Sequence, residues 1–162
     1  MERVYLAYAR TMHAVQRLER THLNIAAMTQ VAKGIKEADS GLAESIFEDA
    51  KRWIDGLQGA QKTLGAAFAK VYGSIKNPDF HTILKDTRSL RDALAHSFLV
   101  DSNLGTDQGR HLALEELAEM EQRFHKMCET TLAMLTKALT LNGANHKFVD
   151  YAIAWIDPGG PH

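Results

Sequence analysis

The chain has 162 residues, of which 45% are hydrophobic and 24% are charged, and its formal net charge is −1. This length and composition are typical of one globular domain and exclude an intrinsically disordered chain. A protein that binds nucleic acid through its overall charge usually has a basic excess, so a nucleic-acid site in this chain must be local. The single cysteine, Cys128, excludes a disulfide bond within the chain.

The N-terminal segment has no apolar run of the kind found in signal peptides, and no apolar stretch is long enough to cross a bilayer. Cys128 lies in a strongly helical stretch, where a lone cysteine is typically a small buried side chain in a reducing compartment. We therefore expect a cytoplasmic protein without membrane contact.

The first two predicted elements are long amphipathic helices. Residues 2–33 repeat apolar or small side chains in a four-three rhythm, which predicts one helix over this range. Asp39 and Ser40 can cap a second helix, which Gly73 can end.

A third helix is predicted to begin at Asn77-Pro78 and to run to about Val100. The Asn77 side chain can cap the first turn, and Pro78 occupies the first helical position, where its missing N–H donor is not needed. Its apolar stripe, which includes Leu94 and Phe98, is expected to face the core.

The last elements are a fourth long helix that carries apolar residues over 113–141 and stops at Asn142-Gly143, and a short fifth helix over 145–156. No segment alternates with period two for long enough to be a strand. We therefore expect an all-α fold, an antiparallel four-helix bundle with a short fifth C-terminal helix. This single domain covers residues 1–156, and residues 157–162 form a flexible tail.

An arginine followed by a histidine with four residues between them occurs twice, as Arg17 with His22 and as Arg91 with His96. Spacing alone therefore has little evidential value. In the first copy, His22 falls on the apolar stripe of the first predicted helix. We predict that it is a core histidine with a hydrogen-bond partner.

The second copy lies in different surroundings. At about 100° per residue, a second face of the third helix collects two guanidiniums, a carboxylate and an imidazole around a small residue. These residues are Arg88, Arg91, Asp92, Ala95 and His96. This face is too polar for the core, and Ala95 at its centre would let another helix approach closely. Asp92 and His96 are four residues apart and can touch.

The eight residues in and after this copy are Arg91-Asp92-Ala93-Leu94-Ala95-His96-Ser97-Phe98. They resemble the signature of the HEPN superfamily, in which an arginine is followed by a polar residue and, after a short spacer, by a histidine. The small residue before the histidine, Ala95, and the aromatic residue after it, Phe98, also recur in that family.

The resemblance implies a homodimer in which two motifs meet in one cleft and cleave RNA without a metal ion or a cofactor. It assigns phosphate binding to Arg91, orientation of the site to Asp92 and general acid/base catalysis to His96, while Ala95 would contact the second subunit. In this reading Arg88 and Lys85 would line the cleft as RNA-binding residues, because the paired motifs would make a basic cleft in an almost neutral chain.

RNA cleavage of this type requires the 2′-hydroxyl to attack the neighbouring phosphorus, so the site must move protons and stabilise added negative charge. His96 would move the protons and Arg91 would hold the phosphoryl oxygens. Many HEPN proteins are toxins or antiphage effectors restrained by an antitoxin or another regulatory partner. Where such toxins are modified on a tyrosine two residues after the histidine this chain has Phe98, which argues against that form of control.

Two other classes remain open. A metal-carrying helical bundle would need two Glu-x-x-His elements, and only Glu19 with His22 has that form; the pairs His111 with Glu115 and Glu121 with His125 are more typical of helix surfaces. The third possibility is a non-catalytic HEPN-like dimerisation or binding module, such as an antitoxin or an assembly subunit.

Overall fold

A computed structural model of the chain describes residues 1–32, 48, 49, 51, 52, 55, 77–141, 143, 144 and 146–157. Its helices include α1 (Glu2–Ala32), α2 (Pro78–Asp92), a π-helical segment (Ala93–Ser97), α3 (Phe98–Asp101), α4 (Asp107–Leu141) and α5 (His146–Ile156). All regular structure in the described ranges is helical, which confirms the all-α prediction. None of the described helices combines the length and apolarity of a membrane span.

The start of α2 follows from its first residues, as predicted. The side-chain oxygen of Asn77 accepts hydrogen bonds from the backbone N–H groups of Asp79 and Phe80, at 2.9 and 3.2 Å. Pro78 occupies the first turn, where a backbone donor would have no partner within the helix. Asn77 thereby satisfies two of the donors that a helix N-terminus leaves free.

The connection between α3 and α4 depends on a close backbone approach. Thr106 Oγ1 accepts a hydrogen bond from the N–H of Gly109 at 3.0 Å, which caps the first turn of α4. A methyl group at Gly109 would lie 1.8 Å from the carbonyl oxygen of Asn103. Glycine is therefore the residue that lets the connection fold back against α4.

The end of α4 is set by Gly143, which has a φ of 84°. Its N–H donates to the carbonyl of Thr140 at 3.0 Å, and the N–H of Ala144 donates to the carbonyl of Leu139 at 3.1 Å. This pair of bonds is the Schellman ending, which satisfies the last carbonyls and favours glycine. The predicted stop is confirmed, and the chain reverses there into α5.

The long helices α1 and α4 run in the same direction. Thr11 of α1 donates a hydrogen bond to the carbonyl of Leu117 at 3.2 Å, and His22, further along α1, lies 3.3 Å from the hydroxyl of Thr131. The rod formed by α2, the π-helical segment and α3 runs in the opposite direction. Tyr8, near the start of α1, contacts Leu94 toward the end of the rod, whereas His22, further along α1, contacts Phe80 at its beginning. The predicted second helix, 39–73, falls mostly outside the described residues, so the four-helix arrangement stays a prediction.

Two apolar clusters fill the space between these helices. The larger one joins α1, α4 and the end of the α2 rod, and its most enclosed side chains are Leu18, Leu94, Leu117 and Phe124. The second one joins α1 and the start of α2 to α5, with Phe80, Leu84 and Ile156 as its main members. The predicted inward direction of Leu94 and Phe98 is confirmed, because both are buried.

Asp157, which the sequence places in the flexible tail, belongs to the folded part of the chain. Its residue surface is 4% exposed. Arg17 donates to both of its carboxylate oxygens, from Nε at 2.8 Å and from Nη2 at 2.5 Å. A buried carboxylate requires such a partner, and no local pattern indicates which cation provides it. Residues 158–162 lie outside the described residues.

Candidate active site around Arg91 and His96

The second arginine–histidine copy spans a widened helical turn. Between α2 and α3 the backbone follows a π-helix, in which the N–H of Phe98 bonds to the carbonyl of Ala93, five residues earlier. Such single turns are rare in helices and occur frequently at functional sites. Periodicity did not predict this turn, because the angular positions assumed a regular α-helix.

Tyr8 of α1 supports the widened turn from the core side. Its hydroxyl donates a hydrogen bond to the carbonyl of Leu94 at 3.3 Å. Its ring stacks on that of Phe98, with 6.2 Å between ring centroids and 28° between ring planes. A π-turn changes which backbone N–H group each carbonyl pairs with. A side-chain donor can then supply the hydrogen bond that a buried carbonyl requires. Tyr8 therefore links α1 directly to the segment that carries His96.

The polar side of the turn is accessible. Ala95 and His96 are exposed, while Leu94 and Phe98 are buried on the opposite side. No hydrogen bond or ion pair joins His96 to another residue in the described part of the chain. The imidazole is therefore available to a ligand or to a second subunit.

Asp92 contacts the two arginines of this face. Its carboxylate oxygens lie 3.8 Å from Arg88 Nε and 3.9 Å from Arg91 Nε. Contact between Asp92 and His96, which their spacing allows, is not found in the structure. Lys85 is exposed one turn before Arg88 on the same rod. The structure thus brings Arg88, Arg91 and Asp92 together, with His96 beyond them.

Glu19 of α1 is a member of the site that the sequence did not indicate. One of its carboxylate oxygens lies 3.4 Å from Arg91 Nε, and the two side chains are 11% and 31% exposed. Burial raises the pKa of Glu19, the nearby Arg91 lowers it, and the Asp92 carboxylate raises it again. On the sequence, Glu19 gave only the weak signal of a charge beside Leu18 on the apolar side of α1.

This arrangement suits the recognition of an anion. Arg91 is approached by carboxylates at Nε, and its Nη1 and Nη2 form no hydrogen bond with the described residues. A guanidinium with two free N–H groups can bind phosphate oxygens through a rigid fork. An exposed imidazole nearby can accept and donate protons near neutral pH.

The first copy is a structural element, as predicted. His22 is fully enclosed, lies 3.3 Å from the hydroxyl of Thr131 and meets Phe80 edge to face, with 5.4 Å between ring centroids. Burial lowers the pKa of His22 to about 3, so the ring is neutral. Arg17, its companion, is the partner of Asp157.

The histidine–glutamate pairs on α4 are surface contacts, which confirms their interpretation from the sequence. His111 lies 3.4 Å from Glu115, and His125 lies 4.0 Å from Glu121. In the described ranges, no group of three or more histidine, cysteine, aspartate or glutamate side chains is placed to hold a metal ion.

No protein-family model, curated protein or solved structure matches the chain. Evidence for its function therefore comes from the residues of the site and their geometry.

Proposed function

We propose that this protein is a HEPN-like, metal-independent endoribonuclease that acts as a homodimer. One observation carries the proposal. His96 is exposed on a π-helical turn and follows Arg91, whose terminal nitrogens form no hydrogen bond in the described part of the chain. Single π-turns are rare in helices and are frequent at functional sites.

The reaction follows from the chemistry of these groups. His96 removes the proton of the 2′-hydroxyl or protonates the leaving 5′-oxygen. Arg91 stabilises the negative charge that develops on the phosphoryl oxygens. Asp92, which contacts both guanidiniums, keeps Arg88 and Arg91 beside each other. Arg88 and Lys85 bind neighbouring phosphates of the RNA.

A dimer explains how one histidine per chain could serve both proton steps. One imidazole acts as the base and its counterpart in the second subunit acts as the acid, so a composite site needs both copies. Exposed Ala95 allows close approach of the second subunit. Leu99 and Val100, which follow on α3 and are 38% and 82% exposed, supply apolar area for the same contact.

The proposed biological role is that of a toxin or antiphage effector in the cytoplasm, restrained by an antitoxin or another regulatory partner. Phe98 has no hydroxyl group and is packed against Tyr8 in the core. Restraint would therefore act through binding rather than through modification of that position.

The test is cleavage of RNA by the purified protein in the presence of a metal chelator. His96→Ala should reduce the cleavage rate about 100-fold or more, because the proton transfers lose their catalyst. His111→Ala removes another exposed histidine, on α4, and serves as the matched control, with wild-type activity expected. Equal cleavage by wild type and His96→Ala would contradict the proposal.

A second candidate is a non-catalytic HEPN-like module that uses the same face for dimerisation or partner binding. It is favoured by the ion pairs that Arg91 and Asp92 already make within one chain. In that case Val100→Glu should dissociate the dimer in analytical ultracentrifugation, while wild type and His96→Ala leave all RNA intact and remain dimeric.

A further inference from the structure

The ion pair between Glu19 and Arg91 joins two helices at the candidate site. Glu19 lies on α1, whereas Arg91 lies near the end of α2, and 3.4 Å separates Glu19 Oε1 from Arg91 Nε. The contact therefore depends on tertiary packing. Arg88 differs in this respect, since its ion-pair partner Asp92 lies on its own helix and the two side chains are 75% and 46% exposed.

The position of the carboxylate on the guanidinium decides which donors remain for a ligand. A guanidinium presents one pair of N–H groups at its Nη1/Nη2 edge and another at the edge that includes Nε. Glu19 and Asp92 both approach Arg91 at Nε. The Arg91 guanidinium forms no hydrogen bond within the described ranges, and both ion-pair contacts lie at Nε, at 3.4 and 3.9 Å. The Nη1/Nη2 edge, which these contacts leave open, matches two oxygens of a phosphate.

We propose that Glu19 is a positioning residue for Arg91, which holds the Nε side of the guanidinium and leaves the Nη1/Nη2 edge directed to an RNA phosphate. The inference rests on the proposed endoribonuclease function for its ligand. Glu19 itself does not contact the substrate. It acts through Arg91, whose long side chain would otherwise sample many rotamers.

The burial of Glu19 supports this role. Its side chain is 11% exposed and follows the fully enclosed Leu18 on α1. An apolar side chain of similar size would pack there without losing hydration, so a carboxylate at this position does not serve packing. Restricted rotamers also make the buried Glu19 a better anchor than Asp92, whose side chain is 46% exposed.

The contact can be tested without any assumption about activity. In ¹⁵N-labelled protein, the Arg91 Nε–Hε signal is assigned by its loss in Arg91→Lys. Glu19→Gln should shift this signal and increase its exchange with water. Glu121→Gln is the matched control, because it removes another interhelical pair, at 3.7 Å from Arg10 Nε. An Arg91 signal that is unchanged in Glu19→Gln, or moved equally by both variants, overturns the proposal.

Kinetics on an RNA that the wild type cleaves then test the positioning role. Glu19→Gln should lower kcat by about 10- to 100-fold with little change in KM, since a misdirected guanidinium mainly loses transition-state contacts. Glu121→Gln should retain wild-type kcat. Wild-type kcat in Glu19→Gln overturns the positioning role. Failure of the wild type to cleave RNA rejects the endoribonuclease function, whereas the Arg91 signal still decides whether Glu19 holds the guanidinium.

The melting temperature, Tm, separates the positioning role of Glu19 from a merely structural one. Because burial raises the pKa of Glu19, its charge is maintained at a cost in stability, which Gln would not carry. In Glu19→Gln the Arg91 charge would still have the Asp92 carboxylate at 3.9 Å and would remain partly exposed to water. Glu19→Gln should therefore have an unchanged or higher Tm together with its lower kcat. A parallel loss of Tm and kcat would instead assign Glu19 to folding and overturn the proposal.

Discussion

Arg17 and His22 lie within the continuous helix α1, with His22 enclosed by the core, whereas Arg91 and His96 span a π-helical turn whose polar side is exposed. Both arginines contact an acidic residue from another part of the chain. Asp157 binds Arg17 through both oxygens at 2.8 and 2.5 Å, while Glu19 approaches Arg91 Nε at 3.4 Å.

This difference shows that identical spacing can serve either the fold or a site. A carboxylate in a bidentate pair occupies the same features of the guanidinium that bind a phosphate. These are its planar fork of donors, its charge and its fixed direction. The charge of Arg17 is neutralised by this buried bidentate pair with Asp157, and His22 is neutral and enclosed. Arg91 keeps an edge without hydrogen bonds in the described ranges, and His96 remains exposed.

The largest expected effect separates the two arginines by stability. Arg17→Met should lower the free energy of unfolding by about 3 kcal/mol, because it leaves the buried Asp157 carboxylate without a partner. Arg91→Met should cost less, about 1 to 2 kcal/mol, because Glu19 is also buried but its contact with Arg91 is longer, at 3.4 Å, and Arg91 is 31% exposed. Urea denaturation of both variants measures the difference.

A double variant checks the cause of that loss. Arg17→Met combined with Asp157→Leu removes both charges and should recover most of the lost stability, as replacement of a buried pair by apolar residues often does. A double variant as unstable as Arg17→Met would show that the packing of Arg17, and not its charge, matters.

The histidines should differ in acid. Burial lowers the pKa of His22 to about 3, and the same group in the unfolded chain titrates near 6.5. The unfolded chain thus binds a proton that the folded chain excludes, so stability falls as pH decreases from 6.5 toward 3. The loss from this residue should reach about 2 kcal/mol at pH 5.

The measurement is urea denaturation at a series of pH values. His22→Gln should remove this part of the pH dependence and His96→Gln should not, with wild type as the reference. The buried Glu19, whose pKa is raised, contributes with the opposite sign and is present in all three proteins. Equal slopes in wild type and His22→Gln would show that His22 can be protonated in the folded state.

The smallest expected effect concerns the π-helical turn. Tyr8→Phe keeps the ring on Phe98 and removes the hydrogen bond to Leu94, which should cost about 1 kcal/mol. Tyr5→Phe changes a tyrosine that is 52% exposed and should have no measurable effect. Faster amide hydrogen exchange at Phe98 in Tyr8→Phe, but not in Tyr5→Phe, would show that Tyr8 stabilises this turn.

Much of the described fold could be predicted from local patterns. Asn77 with Pro78 begins α2, and Gly143 ends α4, because caps and glycine turns depend on neighbouring residues. The apolar stripe of α1 includes His22 and thereby predicts that this residue lies in the core. Periodicity records which side of a helix is apolar, and that is sufficient for such assignments.

The partners of the charged residues could not be predicted in this way. Glu19 meets Arg91, and Arg17 meets Asp157, only because separate helices cross at those points. A charge on a helix gives no local signal of which distant counter-charge it will meet. The sequence placed Asp157 in the tail for the same reason.

By itself, the sequence determined the helical fold of the described ranges, the start of α2, the end of α4 and the inward direction of Leu94 and Phe98, since hydrophobic period and capping are local properties. Only the tertiary structure decided that the turn before Phe98 is a π-helix supported by Tyr8 and that Glu19 lies against Arg91. These features depend on contacts between residues far apart in the chain, and packing between helices can override the regular α-helical path.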